Sequence, residues 1–194
     1  MTSAVRTNKH FRRRSGGFTL LEIVLVLLAI AVLGGGAVTM MILSSDERKL
    51  DAATGEVELL AKRARTIAGL QQRPYALEFS GNKVTLMPLA EAILEPEQRE
   101  AAAAALAAGT QMEGSRFNSA HASWAADEDT QIFVRRWASD TFVPINAKSR
   151  QVWRFDPEGF CEPLTVRYQV GKSWAETEFN PLTAAIRDLS KEVY

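Results

Sequence analysis

The sequence predicts an α+β protein in which a long N-terminal helix packs on an antiparallel β-sheet. Three observations lead to this prediction. An apolar run extends from Phe18 to Leu43, an amphipathic pattern follows it with no proline before Pro74, and short strand-like segments separated by turns fill most of the remainder. Strands that follow one another through turns, without helices between them, favour antiparallel pairing.

The apolar run is long enough for a membrane-spanning helix. Phe18–Leu43 comprises 26 residues (43 − 18 + 1). As a helix it would extend about 39 Å at ~1.5 Å per residue, against a hydrocarbon core of roughly 30 Å. The basic residues Arg12–Arg14 precede the run. The positive-inside rule therefore places residues 1–17 in the cytoplasm and the chain after Leu43 on the opposite side.

Glu22 is an ionisable residue within this apolar run. A carboxylate at the centre of a membrane span costs roughly 2.5–3.5 kcal/mol, and less near an end. One interpretation is that Glu22 lies near the headgroups and reaches water. The other is that a neighbouring molecule supplies a cation. Cleavage after Gly17 would create such a cation, because the freed α-amino group of Phe18 would have a pKa near ~8.

The helix is predicted to continue beyond the apolar run to about Leu70. Apolar residues recur at steps of three and four and form one helix face, while Glu58 and Lys62 form a favourable i, i+4 pair. Pro74 ends the pattern. Residues 18–43 are thus one segment, residues 44–72 an amphipathic segment, and residues 73–194 the head. The apolar face consists of Leu50, Ala53, Val57, Leu60, Ala64 and Ile67.

The head is predicted to contain a hairpin, a helical insertion and a series of strands. A Gly-Asn turn separates two short strands, the Ala-rich residues 90–108 form a helix that restarts at Pro96, and residues 110–130 form a loop. A short terminal helix is expected over Ala184–Val193. The predicted strands are Tyr75–Phe79, Val84–Met87, Gln131–Trp137, Thr141–Ile145, Gln151–Phe155, Leu164–Val170 and Ser173–Phe179.

Composition provides little support for catalysis, metal binding or nucleic-acid binding. Lys+Arg 23 balance Asp+Glu 23, so no net charge attracts nucleic acid. Cys161 is the only cysteine and is expected to be a small buried residue. The acidic residues Asp127–Asp129 offer only part of a calcium site, and a solvated loop explains them more simply. His121 has no partner at metal-ligand spacing. We therefore predict no enzyme, cofactor or metal.

Two arginine-rich segments also contain aromatic residues, as single-strand nucleic-acid binders do. They are Arg135–Trp137 and Arg150–Arg154. Strand alternation with one polar sheet face is the simpler explanation, so a nucleic-acid partner is not expected.

The N-terminal motif resembles the class III signal of type IV pilins and type II secretion pseudopilins. The matching residues are Arg12–Gly17, Phe18–Glu22 and the apolar helix. This resemblance implies that a prepilin peptidase cleaves between Gly17 and Phe18 and N-methylates Phe18. It also implies that Glu22 pairs with the N-terminal amine of an adjacent pilin or pseudopilin, and that an inner-membrane assembly platform is a partner. The implied location is the inner membrane, with a periplasmic head.

The head is similar to that of the H-type minor pseudopilins and the T-type minor pilins. The similarity lies in Arg73–Phe79, Phe155–Gly159 and Phe179–Thr183, with Ala184 standing where the family has glycine. It implies a pilin-like lollipop fold and a structural role as a minor pseudopilin of a type II secretion system. A type IV pilus minor pilin for pilus assembly or DNA uptake is the alternative. A membrane-anchored periplasmic binding protein that never assembles is an alternative of another class.

A glycine triplet formed by Gly34, Gly35 and Gly36 departs from the family pattern, in which many pilins have a proline in the middle of this helix. Each glycine costs ~1 kcal/mol relative to alanine in a helix. One hypothesis is that the triplet melts locally during filament packing. The other is that it permits close helix–helix contact.

Overall fold

The computed structural model describes residues 19–107, 119–146 and 148–194. The chain divides into two compact units, one up to Met41 and one from Ile42 onward. The helices are α1 (Leu20–Gln71), α2 (Leu89–Ala92) and α3 (Pro96–Ala107). The strands are β1 (Tyr75–Ser80), β2 (Lys83–Pro88), β3 (Ala122–Ala125), β4 (Thr130–Arg136), β5 (Val143–Pro144), β6 (Gln151–Phe155), β7 (Leu164–Val170), β8 (Ser173–Phe179) and β9 (Ile186–Glu192).

Helix α1 contains 52 residues and ends where the sequence predicts. Its last turn closes with a Schellman motif, in which Arg73 N–H donates to the carbonyl oxygen of Ala68 at 3.2 Å. Gln72 has a φ of 51°, the left-handed conformation that this motif requires. Pro74 then prevents further helix. The buried residues of the predicted apolar face are Leu50, Ala53, Val57, Leu60 and Ala64.

The strands form two antiparallel sheets. The first has the order β3-β2-β1-β6, and the second has the order β5-β4-β7-β8-β9. In the first sheet Tyr75 lies opposite Pro88 and Phe155, so β1 is a central strand. One continuous apolar core joins residues of α1 with residues of both sheets. Within that core the ring of Trp153 lies 4.7 Å from that of Phe155 and 4.9 Å from that of Phe179.

The prediction of a single sheet is wrong. Strand β6 pairs with β1 and ends the first sheet. A side chain of β4 in the second sheet reaches β6, since Arg136 donates to the carbonyl oxygen of Val152 at 2.8 Å. Trp153 Nε1 donates to the carbonyl oxygen of Glu162 at 2.7 Å. We call this junction the seam.

The predicted membrane span is also wrong. Over the part of the chain that the structure describes, no helix is both long enough and apolar enough to cross a bilayer. The fold is therefore α+β with two antiparallel sheets, and the expected pilin-like lollipop, with a transmembrane helix on one sheet, is incorrect. The expected single-pass inner-membrane location is incorrect on the same ground.

Two further segments differ from the prediction. Residues 186–192 form strand β9 on the edge of the second sheet, where a terminal helix was expected, because β8 offers them a ladder from Phe179 to Trp174. The turn at Asn180–Ala184 directs the chain back along β8, with Ala184 at a φ of 55°. Strand β3 lies within residues 110–130, which were expected to form a loop, and pairs with β2.

Candidate functional site

Thr19 and Glu22 begin helix α1. Glu22 N–H donates to Thr19 Oγ1 at 3.2 Å and to the Thr19 carbonyl oxygen at 3.0 Å, so Thr19 is the N-cap residue. Glu22 has the spacing of a capping-box glutamate and lies near the positive end of the helix dipole. The backbone thus provides a local reason for an acid here. Gly17 and Phe18, the predicted cleavage residues, lie outside the described residues.

The first turns of α1 expose apolar side chains on every side. Large hydrophobic residues between positions 20 and 30 range from 49% exposed at Val26 to 81% exposed at Leu20. Glu22 is exposed among them. A helix that is apolar all round is stable in water only when something covers it. The exposed residues are Leu20, Leu21, Ile23, Val24, Leu25, Val26, Leu27, Leu28 and Ile30.

The glycine triplet lies inside α1, which continues through Gly34, Gly35 and Gly36 without a break in its helical backbone. The helix is therefore not melted at Gly34, Gly35 or Gly36 in this state, although each lacks the side chain that favours helix. The hypothesis that these three glycines melt during filament packing stays a prediction about the assembled state.

The acidic turn Asp127–Asp129 contacts a lysine of α1. Lys49 Nζ lies 2.5 Å from Asp129 Oδ2 and 4.0 Å from Asp127 Oδ2. The hydrogen bond from Lys49 lowers the pKa of Asp129, and the pKa of Lys49 is raised in return. The Lys49 ammonium thus offsets part of the negative charge of this turn. Across the described ranges, no three His, Cys, Asp or Glu side chains gather in a metal-binding arrangement.

The arginines of the two aromatic-rich segments are paired with carboxylates of the same chain. Arg135 also lies over the ring of Phe142 at 4.7 Å, as Arg167 does at 4.6 Å. These guanidinium groups therefore stabilise sheet surfaces and the seam. The ion pairs are Arg135–Glu176, Arg136–Glu162, Arg150–Glu78, Arg150–Glu95 and Arg154–Asp156.

Cys161 is buried as expected, at 6% exposure. Burial raises the pKa of its thiol to about 11, and Sγ lies 3.5 Å from the Pro181 carbonyl oxygen. A thiol in this state is a poor nucleophile at neutral pH. With Phe160 it lines a cavity of about 360 Å³ whose other lining residues are Arg154, Asp156 and Glu162.

The turn Asp156–Gly159 contacts the C-terminal part of α1. Arg65 Nε donates to the Gly159 carbonyl oxygen at 2.9 Å, and Gly159 has a φ of 88°. A Cβ atom at Gly159 would lie 3.4 Å from the Arg65 guanidinium. Glycine therefore suits this position for both its conformation and its small size.

Sequence reasoning missed one cluster, in which Glu78 of β1 pairs with Arg99 and Arg150. No local pattern marks it, because these partners lie 21 and 72 positions away along the chain.

Comparison with protein-family models, curated proteins and solved structures found no match for this chain.

Proposed function

We propose that this protein is a structural filament subunit, a minor pseudopilin of a type II secretion system. The observation that carries the proposal is the start of α1, where apolar side chains are exposed on every side around a single exposed carboxylate, Glu22. Packing of subunits along a filament would cover this surface. The predicted partners are a prepilin peptidase, other pseudopilins or pilins, and an assembly platform.

Glu22 would set the axial position of one subunit against the next. In this proposal, cleavage after Gly17 frees the α-amino group of Phe18, and that cation pairs with Glu22 of an adjacent subunit. The carboxylate is exposed and therefore accessible to such a partner. A charge-assisted pair within an apolar filament core would be poorly screened by salt and would strongly favour one register.

Two features of the head support the same proposal. The Asp156–Gly159 turn, one of the segments that resemble H-type pseudopilins, contacts α1 through Arg65. Ala184, which stands where the resemblance expects glycine, has a positive φ of 55°. The conformation that favours glycine is thus kept although the residue has changed.

The proposal is tested by expressing the full chain with its peptidase and companion subunits. Mass spectrometry is expected to find N-methylated Phe18 as the first residue. Glu22→Gln is expected to be processed normally but to be lost from sheared filaments. Glu56→Gln, at an exposed carboxylate on the same helix, is expected to assemble like the wild type and is the matched control.

Thr19→Ala controls for the capping role, because it removes the Oγ1 acceptor and leaves Glu22 in place. If Glu22 acts only by capping, Glu22→Gln will assemble normally, because glutamine also serves at this capping-box position, and Thr19→Ala will be the variant that impairs assembly. That result would contradict the pairing role. Retention of residues 1–17 in the presence of the peptidase would favour a binding protein that does not assemble.

A further inference from the structure

The first sheet is covered on both faces. One face packs on α1 within the main core, and β1 is buried at five successive residues, Tyr75–Phe79. On the opposite face a small second cluster joins Ala76 and Met87 to Ala92 of α2, with Leu89 and Val152 packed against it. The helical insertion therefore covers an apolar surface of a sheet that already has a core on its other side.

A buried carboxylate fastens this insertion. Glu78, 8% exposed, receives hydrogen bonds from both terminal nitrogens of Arg99 at the start of α3. Arg150, just before β6, lies 3.4 Å from the same carboxylate. A buried acid held by two guanidinium groups is a strong and directional contact, provided both remain in place.

The same arginines also bind backbone carbonyl groups of the insertion. Arg99 donates to the carbonyl oxygens of Ala92 at 3.1 Å and Leu94 at 3.2 Å. Arg150 donates to the Leu94 carbonyl oxygen at 2.8 Å. These carbonyl groups lie at the end of α2, where a helix leaves acceptors without partners. One carboxylate thus organises contacts among β1, α2, α3 and the segment before β6.

Among the residues of the insertion that the structure describes, the remaining attachments are slight. Helix α2 has four residues, and Ala92 is its buried residue. His121 Nε2 lies 2.7 Å from Glu91 Oε2, but both side chains are more than 40% exposed, and exposed pairs contribute little. Segments with few buried apolar contacts open at lower free energy than the core of the same domain.

We propose that residues 89–107 form a cap that opens as a unit while the rest of the head stays folded, with Glu78 as its latch. Opening separates Arg99 from Glu78 and uncovers the apolar face formed by Ala76, Met87 and Val152. The device is independent of the function proposed above, since it requires neither cleavage nor filament assembly.

Hydrogen exchange on the full chain tests this proposal. The reporter amides are those of Leu89, Ile93, Leu94 and Arg99, whose hydrogen bonds lie within the cap or join it to Pro74. In the wild type their exchange is expected to depend little on sub-denaturing urea, because local opening exposes little surface. Amides of β7 are expected to exchange only through global unfolding, with strong urea dependence.

Glu78→Gln is expected to accelerate exchange at the reporter amides by about tenfold or more, since a carboxamide cannot hold two guanidinium groups. Glu176→Gln is the matched control. Glu176 also pairs with two arginines, Arg135 and Arg167, on the second sheet, and its loss is expected to leave the reporter amides unchanged. Peroxide oxidation of Met87, read by peptide mass, is expected to accelerate with cap opening in Glu78→Gln only.

If Glu78→Gln does not fold, Arg99→Gln provides the same test, because it leaves Glu78 paired with Arg150. Selective acceleration at the four reporter amides would support the latch. Unchanged reporter exchange, or equal acceleration in the reporter amides and β7, would overturn it. Strong urea dependence of the reporter amides in the wild type would also overturn it, because the cap would then open only with the whole head.

Discussion

Ala184 adopts a backbone conformation that residues with a side chain rarely adopt, with a φ of 55° and no solvent exposure. The left-handed region costs roughly 1–2 kcal/mol for an L-residue with a Cβ atom. The cost is tolerated because the Asn180–Ala184 turn aligns β9 with β8. The Ala184 N–H donates to the Asn180 carbonyl oxygen at 2.9 Å, which fixes the turn.

Ala184→Gly is therefore expected to cost less than the same change at Ala175. Both alanines are fully buried, but Ala175 lies within β8 at a negative φ. Each change loses a buried methyl group and makes the unfolded chain more flexible. Only Ala184→Gly relieves strain, so its free energy of unfolding should be higher than that of Ala175→Gly by about 1–2 kcal/mol. Urea titration of both variants measures the difference. Equal losses would show that Ala184 is unstrained.

Cys161 gives the head a pH dependence in the alkaline range. Burial raises the pKa of its thiol from 9.0 to about 11 in the folded protein. The unfolded chain therefore loses this proton first. The contribution of the thiol to the free energy of unfolding is fully present below pH 9 and is lost as the pH rises towards 11. Two pKa units correspond to a decrease of up to about 2.7 kcal/mol in the free energy of unfolding.

The Cys161→Ala variant isolates this contribution, because lysines and tyrosines titrate in the same range in both proteins. The difference in unfolding free energy between wild type and variant, measured in urea from pH 8 to 11, should shrink as the pH rises. Parallel curves would mean that the thiol titrates equally in the folded and unfolded chains.

At the level of elements, the sequence predicts the segments whose spacing of apolar residues comes from a single buried face or whose turn is marked by glycine. The amphipathic part of α1 packs a single face on the core, so its three-and-four spacing identifies both the helix and its buried residues. The hairpin of β1 and β2 is marked by Gly81, which has a φ of 60° in the turn.

Elements that depend on a distant neighbour were missed or mistaken. Six of the seven residues of β9 are exposed, so no apolar alternation identifies it, and its ladder with β8 alone makes it a strand. Strand β3 has four residues and depends on β2 in the same way. The site follows this rule too. Glu22 is recognised from the sequence as a carboxylate within an apolar run, whereas Glu78 acquires its arginines only through the fold.

For the whole molecule, the division into two sheets means that side-chain hydrogen bonds join the sheets at the seam. Arg136 is the central residue there, since it binds the Glu162 carboxylate and the Val152 carbonyl oxygen and approaches Gln151 at 3.4 Å. It therefore joins β4 of the second sheet to β6 of the first. A backbone ladder at this place would have given the single sheet that the sequence predicts.

Arg136→Met is expected to destabilise the head by about 2 kcal/mol, because the Val152 carbonyl oxygen and the Glu162 carboxylate lose a charged donor.

The neighbouring Arg135→Met is the control. The two arginine side chains are equally exposed, at 35% each, and each pairs with one glutamate. Arg135, however, lies within the second sheet, where Arg167 still holds Glu176, so its loss should cost less than about 1 kcal/mol. Urea titration followed by tryptophan fluorescence measures both. Equal losses would mean that the seam is held by apolar packing alone.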